Sequence, residues 1–598
     1  MDSTNTIKYK ILIENRDYTK WSIHDPITFA EIYNADGDDS AAAAAFKCNP
    51  FSKKYFNKDI FNITSGEIVH SAVREMKCIA GILVLEGNRT YGRTANKKRL
   101  LYRCIPDDKR LPIFLVPYEI NLGFSKKILN KYVLFRYDSW EVSQTHPHGL
   151  LTETLGDVNN LESFYEYQLY RKSLQENNGA LLSEVKRAIS VGIDIIENSI
   201  YHNSNFMIED RTSSHRVITI DNDNTVDFDD GISIAKSPDG NSATISIYIS
   251  NVFMIIETLG LWDSLTRRVS TIYLPDRRRP MLPSLLSDSL CSLTEGKRRF
   301  SFVCDISVRR GDDAWKIEDI QYKNALIYIK KNYKYSNVEC NKDYIQIKEI
   351  TRALDKNVRQ ANDVIAYWMI QTNIFCAEKM SSYQNGIYRY LSMKMPGGCG
   401  GDTPPQTTIL DDLPDNLDTD TKHVIRSWNY TSGQYSLYSP TVFHSGISNK
   451  TYIHITSPIR RLVDLLNQMT LIKNLGVTMS TKAEEFLTRW LGELDYINTT
   501  MRAIKKIQTD CFLLQKCVED ESVMETIYDG VFFDRLVKSD GSVTTYMVYL
   551  PALRLLSRYT VLTTNAVYEN YQCAKFKIYL FEDKDNLRKK IKIGVFAP

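Results

Sequence analysis

The stretch ITIDNDNTVDFDDG, Ile218 to Gly231, puts five aspartates into ten residues. RVITI before it is a β-branched strand, and DGISIAKSPDGNSATISIYIS after it alternates like a hairpin turning at Pro238-Asp239-Gly240. Asp221 therefore falls at a strand end, and Asp227, Asp229 and Asp230 fall just before the next strand. Carboxylates packed this closely repel one another and raise each other's pKa. A solvated turn, a calcium cage and a metal site remain to be separated. Hard oxygen donors in this number favour magnesium or manganese.

The calcium reading fails on spacing. An EF-hand loop needs Gly at its sixth position and Glu at its twelfth. Counted from Asp221 these are Val226 and Ile232; counted from Asp227 they are Ile232 and Pro238. The flanks also read as strands instead of helices.

Two further segments carry charge in an ordered setting. In YIHITSPIRRLVDLLNQM, Ser457-Pro458 reads as a helix start, with Ser457 as N-cap and Ile459, Leu462, Val463, Leu466 and Met469 as the buried stripe. Arg460 and Arg461 then oppose the helix dipole in the first turn, which an anion such as a backbone phosphate would explain. Pairing of Arg460 with Asp464 is the plainer alternative. TIYLPDRRRPMLPSLLSDSLCSLTEGKRRF surrounds an apolar, proline-marked core with Tyr273, Arg277 to Arg279 and Lys297 to Arg299. An aromatic among basic clusters suits single-stranded nucleic acid.

A chain of 598 residues exceeds one core. With 43% hydrophobic and 25% charged residues it is an ordinary soluble composition, not a disordered one. The net charge of +3 excludes a histone-like polycation but not a basic channel around an acidic centre. Eleven cysteines without a CxxC pair read as reduced thiols in a cytosol-like compartment. The start, MDSTNTIKYK, lacks a signal-peptide core, and Val252 to Trp262 is too short to span a bilayer.

Residues 1 to about 200 read as strand-rich, as two small barrels divided near CIPDDKRLP, with helical pattern from Asn159. NRTYGRTANKKRLLYR interleaves cations with aromatics, as oligonucleotide-binding (OB) barrels do. Helices and strands mix up to roughly Asp510, and the last 80 or so residues suit another small barrel. DGDDSAAAAAF reads as a loop running into a short helix and PGGCGGDTPP as a loop without chemistry.

Together these segments resemble the ribonuclease II / ribonuclease R (RNB) family, closest to its eukaryotic exosome-type branch without the endonuclease domain. The T-I-D, five residues, D-x-D-D signature is matched by Thr219 to Asp230. H-F-T-S-P-I-R-R is matched by HITSPIRR, and Y-L-P, P-M-L-P and C-S-L are all present. LPIFLVPYE and HPHGLLTETLGDV look like the second cold-shock-type barrel.

The resemblance implies a multidomain α+β chain in which a mixed α/β RNB catalytic domain is flanked by small all-β OB barrels. The divisions are 1–108 and 109–200 for two cold-shock-type barrels, 201–514 for the RNB domain and 515–598 for an S1-type RNA-binding domain. The implied activity is processive, magnesium-dependent (manganese as an alternative) 3′-to-5′ hydrolysis of single-stranded RNA to nucleoside 5′-monophosphates.

By the same resemblance Asp221, Asp227, Asp229 and Asp230 hold metal, with Asp229 and Asp227 catalytic. Arg460, also catalytic, holds the 3′-terminal phosphate; Tyr273 stacks on a base at the 3′ end, and Tyr335 binds RNA near the scissile nucleotide. Two cations about 4 Å apart would suit in-line displacement. The implied partner is the 3′ end of single-stranded RNA with no membrane; entry into a larger RNA-degradation complex stays open, with a monomer otherwise. The implied setting is cytoplasmic, with a nuclear one not excluded.

Departures are YISNV where the family has H-I-A-D-V, Leu462, Gln468, and Ile504 near a helpful glutamate. Tyr383 and Tyr388 are candidates for a second stacking ring. The alternative is a catalytically weak relative that holds RNA in the same channel, and a DNA exonuclease is a third reading.

Overall fold

The β-branched run before the acidic stretch forms the strand Val217–Asp221 in a computed structural model of the chain. Its residues 8–34, 49–94, 96–120, 128–311, 315–390, 413–414, 417–418, 420–422, 424–425, 433–440, 451–537, 541–562, 567–583 and 587–596 are described. Asp36 to Phe46 and Pro396 to Pro405 lie outside the described residues.

Val217–Asp221 lies in a six-stranded sheet with Ile208–Asp210, Trp315–Lys334, Asp230–Lys236, Ser242–Ser250 and Arg298–Arg310. The 20-residue strand Trp315–Lys334 makes the sheet curl. Its first part pairs antiparallel with Arg298–Arg310, and its end pairs parallel with Val217–Asp221, so five strands close into a ring. The expected hairpin is present, with Lys236 opposite Ala243 and Gly240 in the turn. Gly231 has a local reason. A Cβ there would meet Val217 Cγ1 at 3.1 Å and Ile218 O at 3.2 Å, so the neighbouring strand would have to give by a few tenths of an ångström.

Helices Lys342–Leu354, Ala361–Ser382, Leu462–Asn474, Thr481–Leu491 and Leu494–Glu519 pack around this sheet. The largest hydrophobic cluster joins sheet residues such as Ile245 and Ile247 to helix residues such as Trp368, Leu466 and Ile504. Each fully buried aliphatic side chain of this kind contributes about 1.5–3 kcal/mol. The chain is thus multidomain α+β, as expected.

Flanking all-β units agree in kind but not in their divisions. Ile79–Leu83, Leu100–Pro106, Phe114–Tyr118, Lys131–Ser139 and His148–Asp157 form a closed barrel. The division expected at 108/109 cuts this barrel, because Leu100–Pro106 and Phe114–Tyr118 pair with each other. The proline and aspartates between them make a turn inside the barrel. Upstream, five strands between Lys8 and His70 form an antiparallel sheet whose core is continuous with the barrel's. Downstream, strands between Tyr528 and Val595 form another five-stranded sheet. The division at 514/515 falls within helix Leu494–Glu519. The helix expected from Asn159 starts at Leu161, with the Asn160 side chain accepting from Ser163 N.

Candidate functional site

Three distant segments meet at the acidic connection. CSL braces it from one side. Ser292 Oγ donates to Val226 O at 3.0 Å and accepts from Phe228 N at 3.0 Å, and Leu293 N donates to Phe228 O at 3.0 Å. ITSPIRR closes the other side. Ile459 N donates to Asp229 Oδ1 at 2.9 Å and Arg460 Nε donates to Asp229 Oδ2 at 3.1 Å. The segment before YLP docks on that turn, with Thr271 N on Arg460 O at 2.9 Å and Leu462 N on Val269 O at 2.9 Å.

The expected helix start is corrected here. Residues 458–460 form a turn, and the helix begins at Leu462 with Arg461 as N-cap. The backbone groups that a helix would use are taken by Asp229 and by the Val269–Thr271 segment. The expected apolar stripe is buried throughout. The alternative pairing shifts by one residue, since Arg461, not Arg460, bonds Asp464, at 2.9 Å.

A cavity of about 740 Å³ is lined by all the site residues read from the sequence: Asp221, Asp227, Asp229, Asp230, Tyr273, Tyr335 and Arg460. Asp223 does not line it; it is exposed, 3.5 Å from Lys334 Nζ. Residues of helix Ala361–Ser382 and Tyr452, His454 and Ser457 complete the lining. Tyr335 N donates to Asp221 O at 3.1 Å, which ties that ring to the end of the acidic strand.

Burial pushes the Asp229 carboxyl up to about 7; Arg460 and Ile459 N–H pull it down, while Asp227 and Asp464 add to the rise. Burial likewise takes Asp221 up to about 6, helped by Asp227. Asp230 is raised well above the usual carboxylate range by burial, then by Asp221 and Asp229. Burial works against the Arg460 charge, but Asp229, Tyr273, Asp464 and Asp230 outweigh it and raise its pKa. Both tyrosine hydroxyls are pushed up to about 12, mainly by burial.

Among the described residues no three His, Cys, Asp or Glu side chains stand grouped as a ready metal cage. Guanidinium groups instead hold two of the acids: Arg460 on Asp229 and Arg278 on Asp227, the latter at 3.0 Å. The donor set nevertheless fits a hard cation. Asp221 Oδ2 and Asp227 Oδ2 are buried without a hydrogen-bond partner. Buried carboxylate oxygens with nothing to accept from cost free energy that a divalent ion offsets.

Other expected positions fall elsewhere. Ile504 is buried in the main core and does not line the cavity. Tyr383 is exposed at the end of its helix, and Tyr388 is buried with its hydroxyl on Ala377 O at 3.1 Å. Neither reaches the cavity. Two unusual positions contact one another: Gln468 Nε2 donates to Ser250 O at 2.8 Å and Gln468 Oε1 accepts from Phe253 N at 3.3 Å, beside the capping Asn251. These substitutions rebuild the support behind Asp229, whose carbonyl accepts from Ser250 N at 2.8 Å.

Sequence reasoning missed Asn373 as a lining residue, and it named Arg278 only as one of the Arg277–Arg279 cluster without singling it out. Asn373 Nδ2 donates to Tyr452 OH at 3.1 Å and Asn373 Oδ1 accepts from Ile455 N at 3.0 Å. It lies in a helix with no sequence signal of its own.

Comparison with known proteins agrees with this architecture. The RNB domain model matches residues 209–341, and the Dis3-like cold-shock domain 2 (CSD2) model matches residues 101–168. The chain is an RNB-domain protein. Its RNB domain and Dis3-like barrel are those of proteins similar to ribonuclease R, exoribonuclease 2 and DIS3-like exonucleases.

Ribonuclease R of Buchnera aphidicola is 26% identical over 392 residues, covering 55% of this chain and 52% of that one. The chain spans about half, or less, of the length of such curated relatives. Mycoplasma genitalium RNase R, solved with ribose-methylated single-stranded RNA, superposes with a TM-score of 0.67 at 17% identity, over 98% of this chain and 100% of that one. Yeast Ssd1, described as a pseudonuclease, superposes with a TM-score of 0.57 at 13% identity, over 96% of this chain and 82% of that one. At these identities the superpositions show a shared fold. A fold common to a nuclease and a pseudonuclease leaves the decision to the site.

Proposed function

We propose that the protein is a divalent-metal-dependent 3′-to-5′ exoribonuclease that hydrolyses single-stranded RNA processively to nucleoside 5′-monophosphates. The observation that carries this reading is the gathering of four aspartates, Arg460, Tyr273 and Tyr335 on one cavity. Asp221, Asp227, Asp229 and Asp230 would hold the ion, with magnesium first and manganese as the alternative. When bound, such an ion supplies Lewis acidity at the phosphate and a water of lowered pKa.

The chain's own residues do the rest. Arg460, anchored by Ser457 Oγ at 3.1 Å, is placed to neutralise charge growing on the phosphate. Tyr273 and Tyr335 offer flat faces for the terminal bases, whose stacking is indifferent to sequence. The β units at either end of the chain would guide the strand by backbone charge. The Mycoplasma enzyme's bound single strand and the names of the curated ribonucleases support this reading. The nine described cysteines are all free, which supports a cytoplasmic setting. Entry into a larger degradation complex, as the matched mouse exosome exonuclease's name states for that protein, is proposed only as an accessory property.

A weakly active RNA-holding protein is the second reading, favoured by Ile504 standing in the core and presenting no carboxylate to the cavity. The deciding experiment incubates 5′-labelled single-stranded RNA with magnesium and either the native chain or Asp229→Asn. The expected outcome is shortening from the 3′ end with mononucleotide release by the native chain, and a loss of about 10³-fold or more in Asp229→Asn with RNA binding kept. Equal rates in the two proteins would exclude the proposed role of Asp229. A native chain that binds RNA but leaves it intact would establish the second reading.

A further inference from the structure

Of the three consecutive arginines, Arg277 and Arg279 share Glu166, whereas Arg278 turns to other carboxylates. Arg277 pairs with Glu166 at 2.8 Å, and Arg279 pairs with Glu166 at 2.5 Å and Asp276 at 2.7 Å. Arg278–Arg279 is a short strand, and alternate side chains of a strand face opposite ways. Arg278 is thus turned toward the cavity, directly across the pair from Tyr273. Its Nη1 lies 3.0 Å from Asp227 Oδ1, and its Nη2 bonds Asp288 Oδ2. Ser287 Oγ donates to Asp288 Oδ1 at 2.5 Å and holds that carboxylate in place.

The two contacts differ in kind. Asp288 takes a hydrogen bond from Arg278, whereas the approach to Asp227 is an ion pair without an aligned hydrogen bond. Asp227 Oδ2 keeps no partner at all. By contrast Arg460 makes an aligned bond to Asp229 and a second one to Ser457. Arg460 is fastened to its aspartate, while Arg278 is fastened to Asp288 and only leans on Asp227.

We infer that Arg278 is a built-in cation that competes with a divalent ion for Asp227, and that Asp288 sets the strength of that competition by drawing the guanidinium away. This rests on the metal-site reading proposed above. Two cations attracted to one carboxylate repel each other, so each weakens the other's hold. Loss of Arg278 then tightens ion binding. Loss of the Asp288 charge leaves Arg278 to Asp227 alone and weakens it. Arg278 acts through Asp227 and is a positioning residue.

The test titrates Mn²⁺ into the full chain and follows free Mn²⁺ by electron paramagnetic resonance, with no RNA present. The native chain is compared with Arg278→Gln and Asp288→Asn, each first checked for a native-like melting transition. The expected result is binding roughly threefold to tenfold tighter in Arg278→Gln and weaker by a similar factor in Asp288→Asn. A purely structural role would shift both variants in the same direction. Shifts of one sign, or none, with saturable binding by the native chain, would overturn the competition but leave the metal site standing. Absence of saturable binding in all three proteins would overturn both.

Discussion

Asp229 is the residue at which burial and charge conflict most directly. An unfolded aspartate titrates near about 3.9, whereas the folded side chain is raised to about 7. The folded chain therefore holds this proton more tightly than the unfolded one. The stability this contributes is complete below about pH 4 and is lost as pH rises through about 7. Asp221, raised to about 6, acts in the same direction. In EDTA the melting temperature of the native chain is expected to fall between pH 5 and 8, by the equivalent of a few kcal/mol. Asp229→Asn, with no proton to release, should show a shallower fall. Magnesium should raise the native melting point more at pH 8 than at pH 5. Melting curves against pH settle this; parallel falls for the two proteins would place the effect elsewhere.

At the scale of the element, the Ser457–Arg461 turn owes its shape to Asp464. This fully buried carboxylate accepts from Ser457 N at 2.8 Å and from Arg461 Nη2 at 2.9 Å. Replacing it by Ala leaves a poorly solvated guanidinium without its partner. A loss of about 3–5 kcal/mol is expected from urea unfolding, with a smaller one for Asp464→Asn, which keeps an acceptor. The same turn shows what could be read from sequence. The spacing of the aspartates is local, so Asp221, Asp227, Asp229 and Asp230 were legible together, and Asp223 was legible as the odd one out. Ser-Pro carries a local helix-start signal that was misleading. The groups that capture this backbone, Asp229 and Val269–Thr271, lie some two hundred residues away in sequence. The role of Arg278 was hidden for the same reason: three adjacent arginines look alike until a strand turns them to opposite sides. Likewise the stretch from Asp107 to Pro112 looked like a linker, because a turn inside a closed barrel uses the same residues as a linker between barrels.

For the whole molecule, a net charge of only +3 means that any hold on RNA must come from where the cations sit. The closed barrel supplies one such place. Lys97, Lys98 and Arg99 are exposed on the connection between its strands Ile79–Leu83 and Leu100–Pro106. Beside them Tyr91 has the guanidinium groups of Arg89 and Arg103 over its ring, at 5.3 and 6.0 Å. Cations next to an aromatic face suit a single strand whose bases stack while its phosphates are neutralised. Each phosphate neutralised on a single strand contributes about −0.7 to the slope of log affinity against log salt. Replacing Lys97, Lys98 and Arg99 together by Gln should therefore lower affinity for a long single-stranded RNA at low salt and flatten that slope by roughly 2. These side chains are absent from the cavity wall, so cleavage of an oligonucleotide too short to reach the barrel should keep the native rate. Fluorescence anisotropy at several salt concentrations measures the first effect, and product release from short and long RNAs measures the second. An unchanged slope would mean that RNA reaches the aspartates by another face of the molecule. Equal loss on short and long RNA would mean that the barrel supports the catalytic fold instead of guiding the strand.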